Sequence, residues 1–280
     1  EFKIEDNYKI YWMNNPIAYI SAGKNYLKPK LELLVDEAID GESKEKLKLN
    51  LTEKLNKLIS NELADLVNLS NSNFDNNYVR ALSYQLFENN GVMKRLDVKR
   101  MIENISKEDR LNLRKAGIKV GRYHIFLPKM LKPSAVNLRV KLWKLYFPKD
   151  KKNNIPKSGL NFLNNEPKNN IKFLLICGFE NIGNFYIRVD ILERLFIKII
   201  EKSKNNAFKI DSDMINLIGC SKENFYKLLD LMHYKLKKTS DSKDEFFIYK
   251  PQFFRKENIK RKNKITKDNP FKKLTELRFR

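Results

Sequence analysis

Along the first third of the chain the apolar positions alternate, and then they take a helical period. Phe2, Ile4, Tyr8, Ile10 and Trp12 recur at loose two-residue spacing, which predicts a pair of short strands with a turn near Asp6-Asn7. Asn14-Asn15-Pro16 marks another turn, and 17–23 resumes a strand-like run. After Pro29, the stretch 30–39 is short enough to be helix or strand. Leu47, Leu51, Leu55, Leu58, Ile59, Leu66 and Leu69 then fall on one helical face. They predict a long amphipathic helix over 43–69, capped by Ser43 and kinked near Asn61. A polar break at 70–77 leads to a helix over 78–89. Gly91 can stop that helix, with helix resuming through 92–105.

Ser106 with Asp109 three residues on has the form of a capping box, and the helix it opens closes at Gly117. Residues 118–128 read as strand, with a turn or bulge at Gly121. Pro133 enters a helix that Pro148 ends. The polar, Pro-bearing stretch 149–170 is the expected boundary, a linker or loop. Residues 171–187 read as strand, turn, strand, and 188–204 as an apolar-rich amphipathic helix. Ser212 or Asp213 caps a short helix ending at Gly219. Ser221 caps another reaching Met232, and two strand-like pieces follow. Two short helices and a hairpin are the grammar of a winged-helix-like module, and also of many small helical domains.

The expected fold class is therefore α+β and helix-rich, without a RecA-like motor domain. Its organisation is a mixed helical accessory domain with short strands (1–148), the linker (149–170), a helical, winged-helix-like domain (171–250) and a basic tail with a short docking helix opened by Pro270 (251–280). From Lys250 onward, 12 Lys and Arg stand against 3 acidic residues.

Charge narrows the function. The 280 residues carry 56 Lys and Arg against 34 Asp and Glu, a formal net charge of +22. Such an excess points to a polyanion, most commonly nucleic acid, with membrane surface as competitor; a Lys-, Asn- and Ile-rich bias is a third source of the excess. No apolar run is long enough to span a bilayer, and the first residues have no signal-peptide pattern. Cys177 and Cys220 lack metal-ligand spacing and read as thiols of a reducing, cytoplasmic compartment. The lack of an initiating methionine fits a processed product or a piece of a longer protein.

Several chemistries find no motif. There is no phosphate-cradling GxxxxGK followed by Ser or Thr, so Asp36-Glu37 after an apolar run reads as a surface acidic pair rather than a magnesium carboxylate. Two histidines and two distant cysteines make no zinc pattern, and no nucleophile elbow accompanies His124 or His233. No catalytic residue, metal or cofactor is assigned to this chain, and enzymatic activity by itself is not expected.

The stretch "LRKAGIKVGRYHIFLPKMLKP" (113–133) carries the candidate site. Arg114, Lys115, Lys119 and Arg122 crowd a corner made by Gly117, Gly121, Pro128 and Pro133. Such a patch neutralises phosphates without reading bases. Tyr123 and His124 could stack on bases, against a bland alternative in which His124 is a hydrogen-bonded structural residue. A second contact would use Lys222 and Lys227 (with Lys235 nearby), and a third the tail residues Arg255, Lys256, Lys260, Arg261, Lys262 and Lys264.

The same corner, with "IRVDILERLFIKI", "INLIGCSKENFYKLLDLMHYK" and the terminal "DNPFKKLTELRF", resembles the region beyond the motor in alphaproteobacterial helicases related to the mitochondrial degradosome RNA helicase. The resemblance covers most of the chain and is weakest over 1–110. Gly117, Gly121, Arg122, His124, Pro128 and Pro133 match one motif of that family; Arg188, Asp190 and Glu193 match another. It implies a non-catalytic C-terminal region of an ATP-dependent helicase, bracing motor domains N-terminal to it and touching single-stranded RNA or DNA. ATP and magnesium would belong to the absent motor. The alternatives are a basic ribonucleoprotein component and a protein-docking module that uses helix 189–200.

Overall fold

The computed structural model describes residues 4–34, 40–164, 170–203, 206–237 and 245–250. The acidic pair Asp36-Glu37, the tail cations from Arg255 to Lys264 and the terminal docking helix lie outside them. The first strands are β1 (Lys9–Trp12), β2 (Asn15–Asn25) and β3 (Lys28–Leu33), an antiparallel meander in that spatial order. Ile10 faces Ala18 and Ile20 faces Leu31, so one face of the pleat is apolar and buried. Helix α1 (Gly41–Glu62) covers it with Leu51, Leu55 and Ile59. Its cap is Asp40, whose carboxylate accepts the Ser43 N–H at 3.2 Å, so Ser43 is the capped residue rather than the cap. The predicted kink is a break at Leu63, after which α2 (Ala64–Asn71) continues the apolar face.

Next come α3 (Asn77–Glu88), β4 (Val92–Lys94), α4 (Lys99–Glu103), α5 (Lys107–Lys115), β5 (Lys119–Val120) and β6 (His124–Phe126). The expectation of helix over 92–105 is corrected. Asn90 and Gly91 both take positive φ, 55° and 85°, which ends α3 outright. Val92, Met93 and Lys94 then pair with Phe126, Ile125 and His124, and helix resumes only at Lys99. The capping box at Ser106 and Asp109 is formed, and Gly117 (φ 82°) follows α5 as expected. Gly121 sits in the β5–β6 turn.

Helix α6 (Pro133–Tyr146), with Pro133 in its first turn, leads to β7 (Phe162–Asn164), α7 (Ile171–Ile176), β8 (Phe179–Ile182) and β9 (Phe185–Arg188). Two expectations change here. The stretch 149–170 is not only a connection, because Phe162–Asn164 pairs with Phe185–Ile187 as a sheet strand. Residues 171–176 are helix rather than strand, ended by Gly178 at φ 95°. Last come α8 (Val189–Lys202), β10 (Ala207–Lys209), α9 (Ser212–Ile218), α10 (Lys222–Leu231), β11 (Tyr234–Lys237) and β12 (Phe246–Tyr249). Asp211 caps α9, Gly219 ends it in the left-handed region, and Ser221 caps α10.

One plan recurs through these elements. A helix, a strand, one or two helices and two strands run in order in α3–β6, in α6–β9 and in α8–β12. In each, the third strand lies between the first and second: β4-β6-β5, β7-β9-β8 and β10-β12-β11. The three units follow one another closely, and Arg188 of β9 is joined directly to Val189 of α8. The molecule is thus a helix-rich α/β mixture with small antiparallel sheets. Among the described residues no helix is long and apolar enough to cross a membrane.

The units share buried polar anchors as well as apolar packing. Arg139 of α6 is fully buried, and its guanidinium donates to the backbone oxygens of Met130 (2.9 Å), Asn90 (3.0 Å) and Ile176 (2.5 Å). Those oxygens come from the end of α3, the turn before α6 and the end of α7, so one side chain ties the first unit to the second. Val92, Phe126, Leu131 and Val189 form a small apolar cluster, and half-buried Leu175 of α7 packs against it, so that it touches all three units.

Candidate nucleic-acid interface

The corner 117–128 has an inner and an outer side. On the inner side the Glu193 carboxylate of α8 accepts three consecutive backbone N–H groups, from Arg122 (2.6 Å), Tyr123 (2.7 Å) and His124 (2.9 Å). The fit requires Gly121, because a Cβ there would lie 2.4 Å from Glu193 Cδ. His124 is 1% exposed. Its Nε2 meets Glu180 Oε2 of β8 at 2.8 Å, and its Nδ1 lies 3.7 Å from Glu193 Oε1. Lys94 of β4 completes the cluster with Nζ 2.6 Å from Glu180 Oε1. Lys94 and His124 of the first unit therefore meet a carboxylate from each of the other two.

This arrangement sets the ionisation of its members. Burial works against charge on His124, but bonding to Glu180 and Glu193 outweighs it and holds the imidazole above its ordinary pKa. Burial likewise works against charge on Glu180 and Glu193. His124 and Lys94 outweigh it for the former, and His124 with the three N–H donors for the latter, so both stay below the ordinary carboxylate range. The cluster is a charged joint. His124 has no face open to a base, which corrects its candidacy for stacking and leaves it the structural role. The Tyr123 ring is half-buried, edge-on to Phe196 with centroids 5.5 Å apart. Burial raises its hydroxyl above the usual range. Its ring is packing of the joint as well.

The outer side is a groove of about 650 Å³ whose walls carry Arg95, Arg110, Arg114 and Lys119 and no carboxylate. Gly117 and Pro128 shape its floor. Gly117 also leaves room for buried Asp65, to which a Cβ would come within 3.1 Å. Arg110 and Arg114 stand one helical turn apart on α5, and Lys119 sits on the edge strand β5. The Arg95 guanidinium donates to the Gly121 carbonyl at 2.8 Å, which fixes it against the corner. None of the four makes an ion pair with another described residue.

Of the four corner cations read from sequence, Arg114 and Lys119 line this groove. Lys115 is exposed on α5 beyond it, and Arg122 packs over the Phe196 ring at 5.5 Å. Arg95 and Arg110 were missed. Arg110 was legible as the i−4 neighbour of Arg114, whereas Arg95 reaches the groove only because the chain turns at 95–98. Lys222 and Lys227 are exposed on α10, the helix that holds in the third unit the place of α5 in the first. Pro133 lies at the entry to α6, apart from the groove. No protein-family model, curated protein or solved structure matches the chain.

Proposed function

We propose that the chain is an accessory nucleic-acid-binding region that grips the backbone through the groove between α5 and β5. The observation that carries this reading is a concave surface with four cations, no acidic lining and no ion pairs to other described residues. Phosphate is the anion that repeats along such a surface, and neutralising it releases counterions. The repeated unit supports the reading. In the first and third units we read the order helix, strand, two helices, hairpin as winged-helix-like, a plan in which the helix before the hairpin approaches nucleic acid. In the first and third units that helix, α5 and α10, carries exposed cations on its outer face.

Together with the sequence resemblance, this supports reading the chain as a non-catalytic C-terminal region of an ATP-dependent helicase. It would hold single-stranded RNA or DNA while bracing motor domains that bind ATP and magnesium. The test is binding of labelled single-stranded RNA and DNA at roughly 50 and 200 mM salt. Wild-type chain should bind with steep salt dependence. Arg110→Gln/Arg114→Gln/Lys119→Gln should flatten the log–log salt slope by about 2, at roughly 0.7 per phosphate contact on a single strand. Binding that ignores both salt and these substitutions would reject the groove.

A further inference from the structure

The other exposed chemistry lies at the opposite end of the N-terminal meander. Strands β1 and β2 meet in a two-residue turn, with Trp12 paired to Asn15 and Met13-Asn14 between them. Met13 and Asn14 take φ of 46° and 66°, the type I′ geometry of tight hairpins. A methionine is uncommon in that conformation, which the two-residue hairpin requires of it. The tip holds out its largest side chains: Trp12 is 61% exposed and Met13 82%. The chain's other tryptophan, Trp143, is buried and stacks on Phe147. Beneath the tip runs a groove of about 730 Å³, walled by Tyr11, Trp12 and Leu58 with Lys54 and Lys57 of α1 along its rim. No carboxylate lines it.

We propose that this hairpin tip is a base-stacking site for an unpaired nucleotide, with the Trp12 indole taking the base and Lys54 and Lys57 the flanking phosphates. Indole faces bind bases of any identity, and the paired lysines supply the complementary charge. The polar Asn14 and Asn15 beside Trp12, with Lys54 and Lys57 near, fit a strand lying across the tip rather than a tip sunk into lipid. The inference rests on the reading of the chain as nucleic-acid-binding and adds a contact to bases where the α5–β5 groove contacts only phosphates.

The test follows tryptophan fluorescence and affinity of the full chain with a single-stranded RNA oligomer, an abasic oligomer of the same length, and phosphatidylserine vesicles. Wild type and Trp12→Ala are compared throughout; Trp12 is exposed, so the substitution leaves the fold intact. The expected result is quenching by RNA that is absent with the abasic strand and absent in Trp12→Ala. Trp12→Ala should weaken RNA binding about 5- to 160-fold, the range of one lost base stack, and leave abasic binding unchanged. Equal binding of natural and abasic strands without quenching overturns the tip and leaves the groove standing. No binding of either strand overturns both. A blue shift with vesicles and no quenching by RNA overturns the proposal in favour of a membrane contact.

Discussion

At the scale of single residues, the joint between Gly121 and Glu193 sets a tight constraint. Its three N–H donors aim at one carboxylate, and the space for that carboxylate exists because residue 121 lacks a Cβ. Gly121→Ala should therefore destabilise the chain by about 2–3 kcal/mol, read as a lowered urea midpoint at unchanged slope. An unchanged midpoint would mean that the carboxylate withdraws freely. His124 adds a pH dependence. Its folded pKa is raised, so its contribution is complete below its ordinary value of 6.5 and fades as pH rises through the folded value. Glu180 and Glu193 have lowered folded pKa values, so theirs is complete above the ordinary 4.5 and fades as pH falls through the folded values. The stability gap between wild type and His124→Gln should be widest between those two ordinary values and should narrow in alkali. Urea titrations across this pH range measure it; a gap that is flat with pH would show His124 to be neutral in the fold.

Among the elements, α6 bears the heaviest buried obligation. Arg139 crosses from it to three backbone oxygens, two at helix ends where the last carbonyls lack intrahelical partners. Arg139→Ala would leave those oxygens unpaired and open a cavity of arginine size, at a cost of about 3–5 kcal/mol. Arg139→Lys should recover only part of this, since a single ammonium nitrogen lacks the planar, spread fork with which the guanidinium uses two separate nitrogens to reach these carbonyls. Equilibrium denaturation decides; a loss below about 1 kcal/mol would show that water replaces the guanidinium. The elements also differ in how far the sequence announced them. Long helices such as α1 and α8 are written in their apolar period, and α5 and α10 in their serine caps. Strands of two to four residues, such as β4, β5 and β7, are too short to show a period of two. Val92–Lys94 and Phe162–Asn164 become strands only through partners more than twenty residues away. The candidate site follows the same division. The local cations of α5 could be read from their spacing, whereas Arg95 depends on a contact to Gly121 twenty-six residues on, and the pairing of His124 with Glu180 and Glu193 on contacts the chain makes across units.

At the scale of the whole molecule, the repeated unit would ordinarily give each repeat a stability of its own, modulated by its neighbours. Here Lys94, His124, Glu180 and Glu193 join three units at one point, and Arg139 joins two of them again. Denaturation should therefore be a single transition by far-UV dichroism and by tryptophan fluorescence; separated transitions would mean that the joint is weak beside the cores.

That joint also has a direction in time. Synthesis proceeds from the N-terminus, so Lys94 and His124 emerge first, and the carboxylates that meet His124 follow 56 and 69 residues later. At roughly 5–20 residues per second, the first unit waits several seconds for its anions. During that interval its histidine has no counter-charge and the apolar surface of Val92 and Phe126 has no Val189 to cover it. A ribosome paused between the first and third units would thus hold a nascent chain with a water-exposed core edge, the kind of surface that chaperones bind.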